Sequence, residues 1–206
     1  MEVCFLTLKI MKFVEPIRNI SKIETIKKIL KADKSYRDLL LFVCGINFAL
    51  RIWDLIKLQV KDLVDENNQI KENFIIKEQK TWKLATRTIT NSIKEALELY
   101  FQKYPFILNN KENYLFFRLK AENRWENHIT RRTGLDIIKK LTNLVWLQWN
   151  YWSHTLRKTW GYQARKKDVP LSLIQYKLNH SSMKITEKYL GITADEIEKV
   201  DNMLNL

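Results

Sequence analysis

Residues 39–50 form the longest apolar stretch of the chain, broken only by Gly45 and Asn47. A bilayer crossing needs roughly 20 such residues, so this stretch belongs inside a protein core. Leu39, Leu40, Phe42, Val43 and Ile46 spread around a helical wheel instead of lining one stripe. That pattern predicts a helix over 34–48, capped by Asp33 and buried on most sides. Such a helix is a central strut that other elements must cover, and 206 residues suffice for one domain built around it.

The covering elements are legible on both sides. Residues 1–15 show neither caps nor periodicity and read as an extended lead-in or linker. Ser21 with Glu24 has the spacing of a capping box and predicts a short helix over 22–30; Ser92 with Glu95 predicts another over 93–104, stopped by Pro105. Between them the texture changes. Residues 63–65, 74–77 and 86–89 alternate and are rich in β-branched side chains, which predicts a small antiparallel sheet of about three strands. Leu115, Phe116 and Phe117 read as a buried anchor within a polar loop over 109–127. Further helices are expected over 130–144, 155–165, 171–178 and 183–190, with residues 168–170 as a turn. Thr193 with Glu196 predicts a final amphipathic helix carrying Ile197, Val200, Met203 and Leu204, as ready to pack on a neighbouring protomer as on its own domain. The aromatic tract over 146–152 reads as packing. The fold class is mainly α with a small antiparallel sheet.

Charge narrows the partners. Lys+Arg number 36 against 23 Asp+Glu, a formal charge of +13, and a chain that basic faces a polyanion, nucleic acid first. Cations beside aromatics, as at Trp82 and Lys83 or Arg124 and Trp125, suit a sugar-phosphate surface, although lysines snorkelling over a core give the same pattern. Cys4 and Cys44 are too few for a disulfide framework or a zinc site. The start of the chain lacks the basic, apolar and cleavable parts of a signal peptide. A soluble cytoplasmic protein is the expectation.

The chemistry concentrates in the last quarter. His154 and Arg157 stand three residues apart at a helix start, where backbone amides already favour an anion and a guanidinium can grip two phosphate oxygens. Taken alone, the pair reads equally well as a capping turn plus a surface arginine. Arg51 follows the apolar strut with Asp54 three residues on, the spacing of an arginine held by a carboxylate.

Further along, Asp168, Val169, Pro170, Leu171, Ile174, Gln175, Leu178, His180, Ser181, Ser182, Thr186 and Tyr189 resemble the closing box of the tyrosine recombinases, the phage-integrase family. In that family the nucleophilic tyrosine follows the second histidine by nine residues, as Tyr189 follows His180 here. Ala49, Leu50 and Arg51 with Asp54, Leu55 and Leu58 look like its first arginine motif, and Lys80 and Thr81 like its hairpin lysine. The resemblance spans most of the chain from about Pro16 onward.

The resemblance implies a catalytic domain over 16–206 without the family's N-terminal core-binding domain. Its set would be Arg51, Lys80, His154, Arg157, His180 and Tyr189, supported by Asp54. Tyr189 would attack a DNA phosphate and form a 3′-phosphotyrosine. Arg51 and Arg157 would hold the nonbridging oxygens, and Lys80 would protonate the leaving 5′-oxygen, with no metal, other cofactor or ATP. His154 would take the tyrosine proton or bind the phosphate, and His180 would donate a further hydrogen bond. Lys83, Arg87, Arg118, Arg124 and Arg131 are candidate DNA contacts. The implied partner is double-stranded DNA, bound as a homo-tetramer by a protein that is monomeric without it, with no small-molecule substrate and no membrane. The implied setting is prokaryotic, viral or on a mobile element, at the nucleoid. A type IB topoisomerase, or a regulator that binds DNA without cutting, would carry much of the same pattern. Ala49 and Asn179 stand where the family commonly has glycine, and Trp82 is bulky for a mobile hairpin.

Overall fold

The computed structural model describes residues 14–119, 124–147, 150–191 and 202–204. Its elements run α1 (Ile20–Ala32), α2 (Tyr36–Phe48), α3 (Ile52–Ile56), α4 (Val60–Leu63), β1 (Asn73–Lys77), β2 (Leu84–Thr88), α5 (Asn91–Lys103), α6 (Arg131–Leu144), α7 (Thr155–Lys166), α8 (Leu171–Lys177) and α9 (Met183–Leu190). Short 3-10 turns lie at Pro105–Asn109 and Arg124–Glu126.

The apolar stretch is the centre of the molecule. Every residue of α2 from Leu39 to Ile46 is buried, and α1, α5 and α7 pack around the helix. Burial of each Leu or Phe there contributes roughly 1.5–3 kcal/mol. The helix α7 comes close because residue 45 is glycine: a Cβ at that position would run into Leu156, whose own Cβ lies 3.1 Å away and cannot swing aside. Gly45→Ala is therefore expected to lower stability by about 1–3 kcal/mol, the usual cost of overpacking. A denaturant titration measures this, and a midpoint unchanged from wild type would show that α7 yields freely.

The aromatic anchor behaves as expected. Leu115, Phe116 and Phe117 are fully buried, the Tyr100 hydroxyl donates to the Leu115 carbonyl at 2.5 Å, and Arg37 donates to the Phe117 carbonyl at 3.0 Å.

Several expectations need correction. The sheet has two strands among the described residues, paired antiparallel with Phe74 opposite Arg87. Of the expected first strand at 63–65, Leu63 instead closes α4, which Gln59 and Asp62 open with a capping box, the Gln59 N–H donating to the Asp62 carboxylate at 2.8 Å. Only Val64 keeps a single bridge, to Ile70. Asn19, not Ser21, caps α1, accepting the Ser21 N–H at 2.8 Å. Asp33 closes the C-terminus of α1 and does not open α2, and α5 starts two residues earlier than expected, at Asn91 after Thr90. The tract at 146–152 is only partly packing: Tyr151 is buried, Trp146 is 81% exposed, and Trp152 lies under the Lys139 ammonium, 4.2 Å from its ring centre. The final helix expected from Thr193 and Glu196 falls outside the described residues, except for exposed helical positions at 202–204.

Candidate active site

Two left-handed corners deliver the site. At the end of α2, Ala49 adopts φ 55°, and after α8 Asn179 adopts φ 53°. These are the two positions noted above as usual glycine sites, and a positive φ is the physical reason glycine suits them. The corners turn two carbonyls towards one side chain. Arg157, only 1% exposed, donates through NH1 to the Ala49 carbonyl at 2.6 Å and through NH2 to the Leu178 carbonyl. Beside these corners Ala49, Ile174 and Leu178 form a small apolar cluster on which Tyr189 and Leu190 rest. Gly161 lets α9 approach α7; a Cβ there would sit 2.8 Å from Leu190 Cδ2.

One cleft of about 460 Å³ is lined by Arg51, Lys80, His154, Arg157, His180 and Tyr189, the six residues named from the sequence, together with Thr81, Lys83 and Asn179. The Tyr189 hydroxyl stands 3.5 Å from His154 Nδ1, and its ring meets the edge of His180 with centroids 4.9 Å apart. His180 Nδ1 is 3.0 Å from the hydroxyl of buried Thr186, which fixes the imidazole. The Lys158 ammonium covers the Tyr189 ring at 5.1 Å.

The charge distribution sets the protonation states. Desolvation at the cleft, followed by the fields of Arg157, Arg51, Lys158 and Lys80, pulls His154 down to about 4. Desolvation and the same two arginines take His180 to about 4 as well. Burial pushes Tyr189 up to about 12 against the opposing pull of Arg157 and Arg51. At neutral pH the site therefore holds a protonated tyrosine beside two neutral imidazoles. His154 has a lone pair to offer but is a poor resting acceptor for this tyrosine, so the proton leaves as the oxygen commits to an electrophile.

The arginine Arg51, 9% exposed, is held by a carboxylate, but not by the one its spacing indicated. Its NH1 pairs with Glu78, a residue with no exposed surface that also accepts from Arg87 NH2 at 2.7 Å and lies 4.0 Å from Arg157 NH1. Asp54 instead accepts the Gln79 N–H at 3.0 Å. Burial raises the Asp54 carboxyl above its usual range, opposed by that hydrogen bond.

The family model described as Phage integrase family matches residues 20–196. The chain belongs to this family. A protein named Probable integrase/recombinase YoeC, from Bacillus subtilis (strain 168), is 36% identical over 186 residues, covering 90% of this chain and 93% of that one. Tyrosine recombinase XerA of Pyrococcus horikoshii is 25% identical over 178 residues, covering 85% of this chain and 58% of its own length. In that comparison, and in those with a Tn554 transposase and an XerC recombinase, the chain spans only about half the length of the relative, 45% to 58%. Among solved structures, XerH recombinase bound to a palindromic difH substrate superposes with a TM-score of 0.70 at 19% identity, covering 94% of this chain and 53% of that one. That likeness places the fold among tyrosine recombinase catalytic domains.

Within this integrase-family site, the proposed DNA contacts separate. Lys83 lines the cleft and is exposed. Arg118 is exposed and donates weakly to the His128 carbonyl at 3.4 Å; Arg131 is exposed, its guanidinium 4.2 Å from the Trp53 ring centre. Arg124 opens a 3-10 turn. Arg87 is the correction. At 3% exposure, with donors on Glu78 and on the Thr86 and Lys177 carbonyls, it is an internal ion-pair partner and not the exposed cation that its place on a strand suggests. The residue missed from the sequence is Glu78. A lone carboxylate among Lys77, Lys80 and Lys83 was a visible signal, but its burial depends on Arg51, Arg87 and Arg157 converging on it from distant parts of the chain.

Proposed function

We propose that the protein is a site-specific DNA recombinase that cuts and rejoins strands through a 3′-phosphotyrosine at Tyr189. The observation that carries this is the convergence, in one cleft, of a tyrosine hydroxyl, two arginines, two histidines and a lysine drawn from the N-cap of α3, the β1–β2 turn, the N-cap and first turn of α7, the α8–α9 corner and α9. Relatives named recombinase, integrase and transposase support the reaction class, and solved Tn1549 integrase neighbours described as in complex with transposon DNA support double-stranded DNA as the partner.

In the proposed step the Tyr189 oxygen attacks phosphorus and its proton passes to His154. The bond to the 5′-oxygen breaks, and that oxygen takes a proton from the Lys80 ammonium. Arg157 has five N–H donors and uses one on each terminal nitrogen for the carbonyl clamps, so each keeps a second for a nonbridging oxygen. Arg51 faces the same cleft. Charge that crowds onto those oxygens in the transition state meets preorganised guanidiniums. Reversal with a different 5′-hydroxyl gives strand exchange, carried out by a homo-tetramer on DNA.

The test offers nicked duplexes from DNA flanking the gene and looks for a covalent protein–DNA band on a denaturing gel. A band supports the reading. Binding without any band would leave a non-cutting regulator, and supercoil relaxation without exchange would mark a topoisomerase.

The depressed histidines make a second prediction. With folded values near 4 for both His154 and His180, kcat/KM for cleavage, which reports the free protein, should stay level down to about pH 5 and fall near pH 4. In the preformed complex the phosphate anion favours the imidazolium, so single-turnover cleavage should lose rate at a higher pH. The sign for stability agrees. Groups depressed on folding contribute fully above about 6.5, the unfolded value, and the contribution is lost as pH falls through about 4. A melting curve at each pH separates loss of fold from loss of rate. Coincident acid limbs in the two experiments would remove His154 as the proton acceptor.

A further inference from the structure

The turn that carries Lys80 is anchored at its root. Glu78 begins it, and the Glu78 N–H donates to the Lys83 carbonyl at 3.0 Å while the Trp82 N–H donates back to the Glu78 carbonyl at 2.8 Å. The Lys80 side chain itself is exposed at the mouth of the cleft. Its neighbours are tied down: the Gln79 N–H by Asp54, and the Thr81 hydroxyl by the Asn179 amide at 3.3 Å. The strongest tie is the Glu78 side chain. Its carboxylate has zero exposure and bridges Arg51 on one oxygen and Arg87 on the other, with Arg157 4.0 Å away. A carboxylate taken wholly out of water persists only where paired charges offset its desolvation. Here three guanidiniums do so, and they come from the N-cap of α3, from β2 and from α7, while Glu78 itself follows β1 two residues before Lys80.

We propose that Glu78 is a positioning residue for Lys80: its buried carboxylate registers the root of the lysine-bearing turn to Arg51, Arg87 and Arg157, so that the proton donor and the phosphate-binding arginines share one frame. The inference rests on the assignment of Lys80 as the acid that protonates the leaving 5′-oxygen. General acids contribute about 10²–10⁴-fold, and a displacement of about 1 Å costs up to about 10²-fold. Moving the root of the turn should therefore act through the acid step.

The discriminating substrate carries sulfur in place of the scissile 5′-oxygen. A thiolate leaves without protonation, so cleavage of that linkage makes no use of a general acid. Glu78→Asp keeps the charge that the three arginines need and shortens the reach by one methylene, so the fold survives while the turn is displaced. Covalent adduct formation is timed for wild type, Glu78→Asp and Lys80→Ala on a nicked duplex of the flanking DNA with either linkage. The expected result is a loss of about 10- to 100-fold for Glu78→Asp on the oxygen substrate, with the wild-type rate regained on sulfur, as for Lys80→Ala. Equal losses on both linkages would overturn the inference, because Glu78 would then act on the arginines or the fold. No loss on oxygen would overturn it too. If Lys80→Ala is not rescued by sulfur, the acid assignment fails and the inference falls with it.

Discussion

Tyr189→Phe is expected to abolish covalent adduct formation, by at least about 10⁴-fold, while leaving the fold and DNA binding intact. The size follows from the loss of the oxygen that forms the ester; removing a nucleophile leaves just the residual help of the surrounding site. The specificity follows from what the ring does without its hydroxyl. The ring packs edge-on to His180 and under Lys158, contacts that Phe reproduces, and rests on the Ala49, Ile174 and Leu178 cluster. The hydroxyl makes a long approach to His154 at 3.5 Å and also meets the Arg157 guanidinium, so stability should move by about 1 kcal/mol at most. A denaturing gel and a melting curve read the two halves. An adduct that survives the substitution would transfer the nucleophile elsewhere, with Tyr176, 85% exposed beside the cleft, the first to replace in turn.

What could be read from the residues alone depended on whether local pattern or tertiary closure decides the feature. The strut at 39–50 announced itself because a buried helix and an apolar run are the same fact seen twice, and the nine-residue step from His180 to Tyr189 needs only one turn and one helix to become geometry. Helix boundaries were missed where two capping residues compete within a few positions. Asn19 stands two residues before Ser21, and the earlier side chain wins once the helix extends back to meet it. The third strand was lost because β-branched content says nothing of the Gln59 and Asp62 box that starts a helix there. Arg51 was rightly read as held, but a spacing of three cannot tell Asp54 from a carboxylate arriving on a distant hairpin. Arg87 and Glu78 are one error seen from both sides: each is an ordinary strand or turn charge until β2 and α7 enclose them together.

The same enclosure makes Arg157→Lys the other large effect. The guanidinium spans two carbonyls that point at it from opposite left-handed corners, Ala49 and the Leu178–Asn179 peptide, and it does so at 1% exposure. A lysine is a single point of donation on a flexible stem and cannot fill a fork. One carbonyl would be left buried and unpaired, at a cost of about 1–3 kcal/mol, which for a chain of 206 residues corresponds to a drop of several degrees in Tm. Catalysis should fall by a further, separate factor of about 10²–10³, the usual price of losing one donor to a developing oxyanion. Arg51→Lys provides the contrast. Arg51 also faces the phosphate cleft but holds no such pair of corner carbonyls; it pairs with Glu78, which an ammonium can still meet. It should lose rate with a smaller loss of Tm. If the two variants melted together, the carbonyl clamp would not be what holds the corners, and the left-handed strain at Ala49 and Asn179 would have to be stabilised by the apolar cluster alone.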